Sequence, residues 1–233
     1  SRIERRDGQI ALTIEIDGRS ETLLSEQVLM TTGRKPNTAG LGLDEAGVLL
    51  AANGGIVVDD RMRTSKTDVY AAGDVTGRDQ FVYMAAYGAK VAAKNALNGN
   101  SLVYDNATMP WVVFTDPQVA GVGLTEAAAR NKGFEVKTSV ALLDQVPRAL
   151  AARDTRGLIK LVADKKTDRL LGAQILAPEG ADSIQTMVLA IKFGMTTQDL
   201  GSTIFPYLTT VEGLKLAAQG FGKDVTKLSC CAG

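Results

Sequence analysis

The sequence predicts an α/β segment followed by an α+β domain, and three observations carry that prediction. A short apolar stretch, Asp68-Val69-Tyr70-Ala71-Ala72-Gly73-Asp74, runs through a loop into an Ala-rich helical segment over 81–97. That is the strand–turn–helix order of α/β units. Beyond residue 105 strands come first and helices afterwards, the order of an antiparallel sheet with helices kept to one side. The 233 residues are 45% hydrophobic and 22% charged, a balance that suits one large domain or two small ones with a sizeable core.

Taken in order, residues 9–16 (QIALTIEI) alternate as a half-buried strand. An Asp17-Gly18 turn follows, then a second strand through residues 22–24. The first residues already read as strand, as though the chain opened inside a domain. Residues 26–30 (EQVLM) predict another strand, leading into the turn formers Gly33, Pro36 and Asn37. Ile56-Val57-Val58 predicts a short strand, and 68–74 a buried one ending in Gly-Asp. The helix over 81–97 is stopped by Asn98-Gly99-Asn100. In the second half, residues 111–114 predict a strand ended by Asp116-Pro117, and Thr125 caps a short helix closed by Gly133. Residues 134–143 predict a strand, and 157–163 with 170–177 an antiparallel hairpin. Helices are predicted at 181–193, closed by Gly194, and at 210–219.

Several functions are excluded or disfavoured by composition. Lys+Arg and Asp+Glu both number 26, so there is no electrostatic case for nucleic acid or an anionic membrane. No apolar run approaches the roughly 20 residues of a membrane span, and the first residues, SRIERRDGQ, have no apolar signal segment. Histidine is absent, which removes Ser-His-Asp and Cys-His catalysis from this chain. Proton transfer would fall to Tyr, Lys, Asp, Glu or Cys. Two cysteines without a disulfide framework predict a reducing, cytoplasmic setting.

Those two cysteines, Cys230 and Cys231, are neighbours near the end of the sequence. Consecutive Cα atoms lie about 3.8 Å apart, short of the roughly 4.4–6.8 Å that a disulfide spans. Paired thiolates instead suit a soft metal ion. The bland alternatives are a chance pair and a lipid acceptor, though no Cys-a-a-X box is formed. At the Gly73-Asp74 turn, an Asp at a strand end can accept a hydrogen bond from a sugar or polyol hydroxyl. The helix start beyond it offers N–H groups and a positive dipole end. A strand cap with a turn Asp is an equal reading of the same residues.

Thr31-Thr32-Gly33-Arg34-Lys35-Pro36-Asn37 and Val69-Tyr70-Ala71-Ala72-Gly73-Asp74 resemble two motifs of the pyridine nucleotide-disulfide oxidoreductase family. Trp111-Val112-Val113-Phe114-Thr115-Asp116-Pro117 and Gly121-Val122-Gly123-Leu124-Thr125-Glu126 resemble the opening of its interface domain. The resemblance implies the end of a flavoprotein with two dinucleotide-binding domains, followed by an α+β interface (dimerisation) domain. Residues 1–40 would close the NAD(P)-binding domain and 41–105 the FAD-binding domain. Residues 106–222 would form the interface domain, and 223–233 a flexible tail carrying Cys230 and Cys231. It implies FAD and NADPH as cofactors, with Asp74 on the ribityl–phosphate region of the flavin and the backbone near Val82 facing its ring. It also implies a homodimer in which each subunit completes the other's active site.

One departure stands out. Disulfide reductases of this family carry His-x-His-Pro-Thr-x-x-Glu where this chain has Phe205-Pro206-Tyr207-Leu208-Thr209-Thr210-Val211-Glu212. Tyr207 thus replaces the acid–base His, and phenol, with an ordinary pKa near 10, is a poor base at neutral pH. Together with the Cys230-Cys231 pair, the departure implies a member whose substrate is Hg(II), captured by the two cysteines with Tyr207 lining the inner site. The chain has no C-x-x-x-x-C redox pair and no G-x-G-x-x-G fingerprint. In the resembled family these lie upstream, so the chain is expected to act with an N-terminal part of the same enzyme. Two other readings stay open: a non-catalytic thiol metal-binding and dimerisation module, and a family member with another oxidant. Lys90, Lys94, Arg148 and Arg153 receive no role.

Overall fold

The computed structural model describes residues 2–223. It divides into two compact units at the Val103–Tyr104 border. The first opens with a three-stranded antiparallel meander, β1 (Arg2–Arg6), β2 (Gln9–Ile16) and β3 (Arg19–Ser25). Its two-residue turns, Asp7-Gly8 and Asp17-Gly18, have positive φ at every position. That is the turn whose twist matches paired strands and which Asp-Gly favours. A long loop region follows, then α1 (Val82–Asn98), closed by Gly99 in the left-handed region. Met84, Gly88, Val91, Ala92 and Asn95 form its buried stripe, at the three-to-four-residue spacing of one helix face. Asn95 is buried but satisfied, donating to the carbonyls of Arg61 and Leu102 and accepting from Leu102 N–H.

Three expected strands of this unit are absent from the structure. Residues 26–30 pair with no strand, and Leu29 is 86% exposed. A strand exists only through its ladder, and β2 is already paired on both edges. Residues 56–58 and 68–74 reduce to isolated bridges, Leu50 with Ile56 and Arg63 with Tyr70. The Gly-Asp motif is therefore not the end of a buried strand. Asp74 is exposed and opens a single 3-10 turn, Asp74–Thr76.

The second unit is the expected α+β domain. Its five-stranded sheet has the order β4-β5-β8-β7-β6, every pair antiparallel. The strands are β4 (Trp111–Val113), β5 (Gln118–Gly123), β6 (Val136–Leu142), β7 (Leu158–Asp164) and β8 (Leu170–Ala177). Register explains the core. Ala120, Ile175, Ile159 and Ala141 are aligned across four strands, and Val122, Ala173 and Leu161 form the next row. Aligned partners share a sheet face, so the middle of this face is largely apolar, with buried Ser139 opposite Leu161 as a polar member. α4 (Gly180–Lys192) covers it with Ile184 and Met187, and α6 (Gly213–Gln219) with Leu214 and Ala217. Short helices α2 (Glu126–Asn131), α3 (Pro147–Ala152) and α5 (Thr197–Ser202) complete the unit. Thr125 caps α2 as expected, accepting from Ala128 N–H.

α6 sits unusually close to the sheet. A Cβ on Gly213 would lie 2.6 Å from Ile159 Cδ1 and 3.2 Å from Val146 Cγ2, so any larger residue would have to push these core side chains aside.

Candidate functional site

In the first unit the two early motifs and the start of α1 converge. Gly73 has φ 80, and a Cβ there would meet Ala85 Cβ at 3.0 Å. The Gly-Asp turn therefore rests on the first turns of α1. Thr76 ties it down, its hydroxyl donating to Gly73 O at 2.8 Å, while Ile56 N–H donates to Val75 O. From the other motif, Arg34 Nη1 donates to Gln80 O at 2.9 Å, directly before the helix. The helix start has no side-chain cap and no acidic residue in its first turn. Val82 is 85% exposed, and its N–H has no partner among the described residues. The Phe81 and Tyr83 rings stack beside it, centroids 5.3 Å apart. Burial, reinforced by the Asp79 carboxylate, pushes the Tyr83 phenol up, so it remains a neutral donor at physiological pH.

This cradle fits a flavin. The Asp74 carboxylate is exposed, with no hydrogen-bond partner among the described residues, and can accept from polyol hydroxyls. The open helix start presents N–H and a positive dipole end. The Gly73-Asp74 turn thus lies against the helix that Val82 opens. Sequence reasoning missed the aromatic pair Phe81 and Tyr83 and the Arg34 link between motifs. An aromatic pair two residues apart at a helix start was a signal available for the first.

In the second unit Tyr207 lies on an exposed loop and is itself 63% exposed. Leu208 beside it has φ 68, and Thr209 closes the turn by donating to Pro206 O. Glu212, at the start of α6, is only 3% exposed, and its Oε2 has no partner among the described residues. Burial pushes its carboxyl up, against the opposing pull of Lys215. Sequence reasoning used Glu212 only as an anchor for alignment, and a buried orphan carboxylate has no sequence signature. Cys230 and Cys231 lie outside the described residues. Among the described residues no group of three His, Cys, Asp or Glu side chains could hold a metal ion, and no helix is long and apolar enough to cross a membrane.

The pyridine nucleotide-disulphide oxidoreductase profile matches residues 1–93, and that family's dimerisation-domain profile matches residues 109–218. The chain belongs to the pyridine nucleotide-disulphide oxidoreductase family. Within it, the chain is similar to the mercuric reductases. It is 51% identical to that of Bacillus cereus over 233 residues, all of this chain and 37% of that protein. It is 52% identical to that of Shigella flexneri over 228 residues, 98% of this chain and 40% of that protein. Among solved structures, the Cu(II) complex of the HOCl-induced flavoprotein disulfide reductase RclA from Escherichia coli superposes with a TM-score of 0.82 at 30% identity. That match covers 94% of this chain and 49% of that one. The chain therefore spans less than half the length of each of these relatives.

Proposed function

We propose that this chain is the C-terminal portion of a homodimeric, FAD-containing enzyme that reduces Hg(II) to Hg(0) with NADPH. The net reaction is NADPH + Hg(II) → NADP+ + Hg(0) + H+. The observation that carries the proposal is similarity to mercuric reductases along the whole chain, at 51% identity for the Bacillus cereus protein. FAD, when bound, supplies the route for two electrons between nicotinamide and metal.

The chain's own residues have distinct tasks in this reading. Asp74 accepts hydroxyl hydrogen bonds from the ribityl–phosphate region of the flavin. The first turn of α1, at Val82, turns its positive end toward the ring. Gly73 keeps the turn close enough to α1 for both contacts. Cys230 and Cys231 take Hg(II) from small thiols by ligand exchange and pass it inward. Tyr207 lines the inner site of the partner subunit, where its hydroxyl can donate to a thiolate. Reducing a metal ion needs no proton relay to a sulfur leaving group, so Tyr in place of His fits the chemistry. Dimer formation is supported by the match to the dimerisation domain and by exposed apolar side chains, Leu189, Phe193, Ile204 and Tyr207, on this unit.

The test is NADPH oxidation driven by thiol-bound Hg(II) in the full-length protein, with Cys230 and Cys231 both changed to Ala. Turnover should fall steeply at low Hg(II). Unchanged turnover would refute the capture role of the tail.

A further inference from the structure

A cavity of about 720 Å³ lies between α5 and α6, bounded by β6 and the β7–β8 turn. Its volume falls in the range of small-molecule sites. Three lysines line it: Lys137 from β6, Lys215 from α6 and Lys223 just beyond α6. The sole carboxylate among the described lining residues, Asp168, is already committed. It pairs with Lys137, accepts from the Thr197 hydroxyl and takes the Gln198 N–H. Lys215, which also pulls on the Glu212 carboxyl, and Lys223 make no ion pair among the described residues, so the described lining carries two lysine charges that no salt bridge holds. Phe221 forms an apolar wall, with the Lys137 ammonium 5.1 Å from its ring centroid. A cavity with these two cations, an apolar wall and this volume suits a small dicarboxylate with a short carbon chain.

Its position narrows the ligand further. Lys223 leads in sequence to Cys230 and Cys231, and a stretch of that length reaches at most roughly 25 Å from the cavity rim. We propose that the cavity docks small anionic thiols, holding by their carboxylates the carriers that deliver Hg(II) as a bis-thiolate complex. This rests on the Hg(II) reading above and names the form in which the substrate arrives. Docking concentrates the complex within chain reach of Cys230 and Cys231. Each exchange then forms one Hg–S bond to a tail cysteine and breaks one Hg–S bond to the carrier. The proton of the cysteine thiol leaves with the released carrier thiolate, and no oxidant or reductant is consumed.

The test compares the full-length protein with its Lys215→Gln/Lys223→Gln variant, which alters neither the flavin cradle nor Cys230 and Cys231. Hg(II) is supplied as its mercaptosuccinate complex, which is anionic, or as its 2-mercaptoethanol complex, which is neutral. The variant should raise KM for the anionic complex about tenfold, the effect of losing two charge contacts near the surface. It should leave kcat and the neutral complex unchanged. Added salt should raise the wild-type KM for the anionic complex alone. An equal KM change for both complexes, or none for either, overturns the proposal. Calorimetric titration with metal-free mercaptosuccinate reads the cavity without catalysis: binding is expected for wild type and lost in the variant. Absence of binding to wild type overturns the site, and tighter binding of inorganic phosphate overturns the ligand class. If no Hg(II) complex drives NADPH oxidation in wild type, the Hg(II) reading and the carrier role fail together, while the titration still decides whether the cavity binds a dicarboxylate.

Discussion

Glu212 places a carboxylate where one oxygen is buried without a partner, so its ionisation works against the fold. The sign of the pH effect follows directly. Burial raises its folded-state pKa above the ordinary 4.5, so in the window above that value the folded state holds more proton than the unfolded state. Stability therefore falls as pH rises from about 4.5 through the raised folded value, and stays at the lower level beyond it. Glu212→Gln should flatten this fall and stabilise the unit at pH 7 by about 1 kcal/mol, the scale of one unpartnered buried polar group. Urea midpoints at pH 4 and pH 7 measure it; an unchanged difference between the two would refute the assignment. At the opposite extreme, the exposed Arg156 guanidinium holds the half-buried Asp154 carboxyl down at about 2. The stability this pair lends is present above the ordinary aspartate value and is lost only as pH falls toward 2. A carboxyl-carbon NMR titration should find Asp154 still ionised at pH 3. For Tyr207, the hydroxyl is the chemically active part. Tyr207→Phe in the full-length protein should lower Hg(II)-driven turnover about tenfold, the effect of one hydrogen bond to a charged group, with flavin content unchanged.

At the scale of elements, long periodic segments were legible and short or partner-dependent ones were not. The α1 and α4 helices and the β7–β8 hairpin emerge from the sequence within a residue or so of their ends. Helices α3 and α5, each six residues, are too short to show a period. Strand β5 is built from Gln118, Val119, Ala120, Gly121, Val122 and Gly123, a poor strand composition that pairing on both sides nevertheless imposes. Gly121 belongs there because the Trp111 indole lies across it, 2.5 Å from where a Cβ would sit. The candidate flavin residues were legible as motifs, but their support was not: Arg34 reaching Gln80 is a contact across 46 positions. Gly213→Ala should destabilise the second unit by about 1–3 kcal/mol, the cost of overpacking a filled core, read as a lower urea midpoint. Gly73→Ala combines a left-handed backbone with a tight approach to Ala85. It should release flavin from the full-length protein on gel filtration, with α-helical circular dichroism retained.

For the molecule as a whole, the sequence pattern marks an α/β part and an α+β part, and the chain forms two compact units. The second unit buries one sheet face under α4 and α6 but leaves large apolar side chains outside, Ile204 at 93% exposure among them. Apolar side chains grouped on a dimerisation domain are expected to meet a second copy. Phe193→Asp with Ile204→Asp should shift the full-length protein from dimer to monomer in sedimentation velocity at micromolar concentration. An unaltered dimer would show that these side chains face solvent in the assembly.

The left-handed backbone at Leu208 also constrains how such chains can interconvert. Proline has φ fixed near −65°, so it cannot occupy a position with φ 68. The disulfide-reductase pattern places its His immediately before a proline. Restoring His at position 207 alone would mount the imidazole on a turn of the other hand, and restoring Pro at 208 alone would break the turn. The two chemistries are thus separated by a change of backbone path as well as side chain, and no single substitution at this loop leads from one to the other.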